Sequence, residues 1–154
     1  MTTDSVITLT GTIVTLLGMS VAIRQASQAR NYKNQIKFDI RKINLSGVIE
    51  RLKRSQDEIR KLPTSTSIPR GIKANELILN IRSHFDFSLG ILDASGPEKD
   101  IRLILGEAQQ KLNSYETSWN NKNPSAENVF ELQALIQDAV SQANSRIYLL
   151  EGKA

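Results

Sequence analysis

His84 is the only histidine in the chain, and so the only side chain whose ordinary titration falls near neutrality. It lies between Ser83 and Phe85 in a segment of helical periodicity. A metal site would need further ligands, and the chain has no second histidine and no cysteine to supply them. The Glu-x-x-His pair used by helical di-iron bundles is also missing. His84 therefore reads as a surface or half-buried structural residue.

Carboxylates come together in sequence at Asp57/Glu58, Glu98/Asp100 and Glu127/Glu131. The last two pairs fall in first turns of expected helices, where negative charge complements the helix dipole without any catalytic role. Gly90, Gly96 and Gly106 do not have the spacing of a phosphate-binding loop. One histidine offers one candidate base and no reason to prefer a particular serine as its partner. Catalytic residues, metal ligands and cofactor-binding residues are accordingly not assigned, and no enzyme activity or cofactor is expected. Tyr115 and Trp119 share the apolar stripe of an expected helix and read as core packing in preference to an aromatic ligand pocket.

The elements that carry these residues are helices. Aromatic residues make up 5% of the chain, so a core must come mainly from Leu, Ile, Val and Ala. The eight glycines and four prolines cluster at a few places, which favours long helices. The absence of cysteine excludes a disulfide framework and a thiol nucleophile.

Val6 to Ile23 is a run without a charged residue. At about 1.5 Å per residue it would reach roughly 27 Å, close to the thickness of a hydrocarbon core. Two readings compete: a buried helix of a soluble core, which a terminal run of this length without charge disfavours, and a cleavable secretory signal, since Ser20-Val21-Ala22 has a small-x-small pattern. The residues before the run hold no Lys or Arg, and the basic residues all follow it, the reverse of a signal's polarity. The run is therefore expected to be a retained single transmembrane helix, preceded by a short extracytoplasmic N-terminus, residues 1–5.

Charge orients it. Residues 24–61 hold eleven Lys/Arg and four Asp/Glu, a difference of +7, whereas residues 62–154 hold nine and eleven, a difference of −2. Arg24, Arg30, Lys33, Lys37, Arg41 and Lys42 closely follow the run, so the positive-inside rule places the rest of the chain in the cytoplasm. Arg24, Arg30, Lys33 and Lys37 are expected to touch anionic lipid headgroups. Nucleic acid is not an expected partner, because Tyr32 and Phe38 alone make a poor stacking platform for bases.

Within the run, Thr8, Gly11, Thr15, Gly18 and Ala22 are spaced 3, 4, 3 and 4 residues apart and line one stripe of a helix. Small residues allow close helix approach in lipid, so this stripe is expected to be a self-association seam and the protein a homo-oligomer.

From 24 to 62 the pattern is a basic, coiled-coil-like helix into which the span is free to continue. Phe38, Leu45, Leu52 and Ile59 recur every seven residues, with Val48 and Leu62 between them. Ile36, Ile40, Ile43 and Ile49 widen the stripe. Residues 63–71 form a linker rich in Pro, Ser and Thr. Residues 72–151 hold three further helices. The first covers about 72–93; Ser95-Gly-Pro-Glu98 opens the second as a capping box, and Asn123-Pro124 the third.

Fold and function follow as expectations. The fold class is all-α, with a single N-terminal transmembrane helix continuing into an up-down four-helix bundle. The function is that of a non-enzymatic interaction or scaffold module anchored at the cytoplasmic membrane face, with a protein partner the sequence does not name. The alternative is a self-assembling, membrane-perturbing or pore-forming effector whose bundle senses or assembles.

Overall fold

The computed structural model describes residues 3–65 and 73–152, and within the first helix it excludes the side chains of residues 3–14, 16 and 17. Four helices follow in chain order: α1 (Thr3–Ile59), α2 (Ala74–Ile91), α3 (Lys99–Asn120) and α4 (Ala126–Glu151). No strand occurs among the described residues. The all-helical fold expected from the sequence is present, and the run 6–23 and the basic segment after it belong to one helix. Among the described residues, no helix is long and apolar enough to cross a membrane. Most of Val6–Ile23, including Thr8 and Gly11 of the expected seam, lies outside the described side chains.

By its packing the chain divides into two units, Met1–Ile40 and Arg41–Ala154. The second unit is a helical bundle with one continuous core. Leu45, Val48, Leu52 and Ile59 of α1 are buried with Ile78, Ile81 and Phe85 of α2. Ile101, Leu105, Leu112 and Tyr115 of α3 and Val129, Leu132, Ile136 and Val140 of α4 complete it. These positions recur at helical spacing in every element, so each helix buries one stripe. The core serines satisfy themselves locally: Ser55 donates to the Leu52 carbonyl at 2.7 Å and Ser88 to the His84 carbonyl at 2.8 Å.

Helix ends are set by specific chemistry. α1 closes with Lys61 and Leu62 donating to the carbonyls three residues earlier, and Pro63 has no N–H to continue the ladder. At the end of α2 the Arg102 guanidinium donates to the Leu89 and Leu92 carbonyls, at 2.5 and 2.9 Å. α3 ends with Lys122 in the left-handed region (φ 58°), where its N–H reaches the Trp119 carbonyl and that of Asn123 reaches Ser118. That pair of bonds is a Schellman closure.

Two expected caps are corrected. α3 begins at Lys99, with Glu98 at the cap position and no side-chain capping bond. The Glu98 carboxylate is 5% exposed and accepts from the Asp93 N–H at 3.2 Å and from Arg41 Nε at 2.5 Å. An ion pair from α1 has thus drawn this carboxylate away from the helix start. Gly96 serves the turn before it, at φ 120°, a conformation open to glycine and costly for other residues. α4 is capped by Ser125, whose hydroxyl accepts from the Asn128 N–H at 3.2 Å, where Asn123 was expected. Asn123 is already committed to closing α3.

Candidate functional site

Two surfaces bring together residues singled out by the sequence. The first is the face of α1 within the first unit. From Gly18 to Ile40 every residue is exposed, including Met19, Val21, Ile23, Tyr32, Ile36, Phe38 and Ile40. Thr15, Gly18 and Ala22 of the expected seam are exposed as well, and a Cβ added at Gly18 would meet nothing within 4 Å. The expected widening of the core stripe is therefore corrected: Ile49 is buried, but Ile36, Ile40 and Ile43 are 57, 54 and 69% exposed. Phe38, expected in phase with Leu45, Leu52 and Ile59, is also exposed. Only the later part of α1 has helices packed on that stripe.

Arg24, Arg30, Lys33 and Lys37 all lie on this exposed segment, and among the described residues none of them pairs with an acid. Arg41 and Lys42, counted with them as orienting charges, behave differently. Arg41 is held by Glu98 and Lys42 by Glu151, so these two cations are spent inside the bundle unit.

The second surface is an open groove of about 430 Å³ between α1 and α2, lined by Arg54, Asp57, Glu58, Lys61, Asn80, Ser83 and His84. His84 Nε2 stands 3.7 Å from Glu58 Oε2, too far for a hydrogen bond. Glu58 Oε2 and His84 Nδ1 are both buried without a hydrogen-bond partner. Burial pushes the His84 imidazole below its ordinary value, Glu58 acts to raise it, and Arg51 and Arg54 reinforce the lowering. His84 is half-buried at the groove rim, as its sequence context suggested. The groove offers a neutral imidazole and a carboxylate but no nucleophile bonded to either, which is short of what acyl or phosphoryl transfer requires. Among the described residues no group of three or more His, Asp or Glu side chains is placed to hold a metal ion.

The aromatic pair on α3 is structural. Tyr115 is fully buried and donates to the Pro63 carbonyl at 2.8 Å, tying α3 to the chain just after α1. Trp119 packs against the core edge and its indole N–H donates to Asn75 at 3.1 Å. Sequence reasoning missed the Glu58–His84 juxtaposition and the Arg41–Glu98 pair. Both link residues on different helices, and helical periodicity within one segment carries no signal of such pairs. No protein-family model, curated protein or solved structure matches the chain.

Proposed function

We propose that the chain is a single-pass membrane protein without enzymatic activity. Residues 6–23 would anchor a cytoplasmic helical bundle that serves as an interaction or scaffold module at the membrane face. One observation carries the reading: an uncharged run is followed, on the same unbroken helix, by four exposed basic residues that have no acidic partner among the described residues. The uncharged run suits a hydrocarbon core, in which a helix satisfies its own backbone. The basic residues suit the cytoplasmic headgroup layer, where each contributes on the order of 1 kcal/mol with anionic lipid. Arg41 and Lys42 drop out of that layer because the bundle's own acids hold them. The bundle provides a packed, stable body, and its single histidine and unremarkable carboxylates favour binding over catalysis.

Alkaline carbonate extraction tests the anchor. The full chain should stay in the membrane pellet, and a variant lacking Val6–Ile23 should be released. Recovery of the full chain in the supernatant would end the reading.

A further inference from the structure

We propose that a second copy of this chain docks on α1 along Ala22, Gln25, Ala29, Tyr32, Ile36 and Ile40, as a parallel, in-register coiled coil. These residues are spaced 3, 4, 3, 4 and 4 apart. The first four steps are those of a heptad seam, with Ala22, Ala29 and Ile36 recurring every seven residues. The last step is one residue longer than the heptad. It unwinds the supercoil locally and brings Ile40, not Asp39, onto the seam. All six residues are exposed, with Tyr32, Ile36 and Ile40 at 65, 57 and 54%. Three large apolar side chains, Tyr32, Ile36 and Ile40, left open to solvent in helical phase with small or uncharged residues make a docking face, unlike apolar residues scattered singly.

The occupant follows from charge and geometry. The seam itself carries no charge. Arg24, Arg30 and Lys37 fall at outward positions of the heptad, and only Lys33 flanks the seam. Two copies can therefore close on each other without opposing basic residues across the contact. A bilayer surface is a poorer fit. α1 runs unbroken from Thr3 through Ile40, so this segment leaves the proposed span along the same axis and cannot lie flat on the headgroups. Thr15 and Gly18 stand 7 and 4 residues before Ala22, so the seam proposed for the span continues into this stripe without a change of phase. A second copy anchored in the same bilayer arrives parallel and at the same height. The inference deepens the membrane-module reading by naming a partner, and its parallel register rests on that reading.

Charge also sets the sign of the salt effect. Residues 24–40 hold four basic residues and one acidic, a net of +3. The two copies repel over a distance that salt shortens, so pairing should strengthen as salt rises. Docking to acidic lipid or to an acidic protein would weaken instead.

The chain contains no cysteine, so single cysteines can be read without background. Full-length variants Ala29→Cys and Ile36→Cys are compared with Asn31→Cys and Asn34→Cys, which face outward in the heptad. All four are oxidised in isolated membranes and in mild detergent, at low and high salt. The seam variants should give roughly fivefold more covalent dimer than the outward pair, increasing with salt. Equal yields at all four positions, or none at the seam, would overturn the proposal. So would a cross-linking yield at the seam that falls as salt rises. The double variant Ile36→Asp/Ile40→Asp should lose the dimer and keep its helicity and melting temperature, since neither residue is in the core. An unchanged dimer in that variant would equally refute the seam. Carbonate extraction of the same samples separates the two ideas. Seam cross-linking in a chain released by carbonate leaves the pairing and removes the anchor, and a retained chain with no cross-link does the reverse.

Discussion

Within α1 the two units treat similar sequence very differently. Before Arg41 the helix carries Tyr32, Ile36, Phe38 and Ile40, all exposed; after it, Leu45, Val48, Leu52 and Ile59 are buried almost completely. The earlier stretch repeats Ala22, Ala29 and Ile36 every seven positions and the later one Leu45, Leu52 and Ile59, and both are charged on their other faces. The difference lies in what is available to cover them. Residues 72–151 supply three stripes that close on the later part of α1, and the earlier stripe is surplus to that core. Periodicity tells which face of a helix seeks burial, and it does not tell whether the partner lies in the same chain. The same contrast divides the basic residues. Arg41 and Lys42 have acids within the bundle, but Arg24, Arg30, Lys33 and Lys37 have none among the described residues.

The contrast can be broken most forcefully in the core. Phe85→Ala, at a residue with no exposure, should destabilise the full chain by roughly 3–5 kcal/mol. Phe38→Ala, in heptad phase with Leu45 but exposed and off the docking stripe, should stay within about 0.5 kcal/mol under the same chemical denaturation in detergent. Comparable losses at the two sites would mean that the earlier stripe already belongs to the cooperative core.

A smaller effect is expected at the buried Glu98. Glu98→Ala removes the Arg41 ion pair and the acceptor of the Asp93 N–H, which should cost about 2–3 kcal/mol. Lys37→Ala, at an exposed cation without an acidic partner among the described residues, should leave the unfolding midpoint unchanged.

The smallest effect concerns pH. Burial raises the Tyr115 phenol from its ordinary 10 to about 12. In that window the unfolded chain gives up the proton and the folded chain keeps it. The stability Tyr115 contributes is therefore complete below pH 10 and is lost as pH rises through about 12. Tyr115→Phe loses the hydrogen bond to Pro63, worth about 1 kcal/mol at neutral pH, and should fall less steeply over this range. Parallel curves for the two proteins would show that the phenol is not shielded.

Much of the bundle was legible in the residue pattern. Three helices expected over residues 72–151 are there as α2, α3 and α4, and α2, expected over about 72–93, occupies Ala74–Ile91. The pattern was less informative at helix starts. Ser95-Gly-Pro-Glu98 has the composition of a capping box, yet Glu98 is claimed by Arg41, fifty-seven residues away in sequence. Asn123 has the chemistry of a cap, yet α4 begins at Ala126, so Ser125 directly before it accepts from the Asn128 N–H in its place. Local motifs lose to long-range partners wherever a charged group finds a better one. The Glu58–His84 groove was invisible for the same reason, since nothing in either helix alone signals the other.

The account rests on residues 6–23 crossing a bilayer with the bundle on the cytoplasmic side. The most direct test places single cysteines at Thr2 and at Asn121, an exposed residue at the turn after α3, in the cysteine-free full chain. Both are then labelled with a membrane-impermeant maleimide in intact cells and in inverted vesicles. Thr2→Cys should react only from outside and Asn121→Cys only in inverted vesicles. Labelling of both positions from the same side would contradict it.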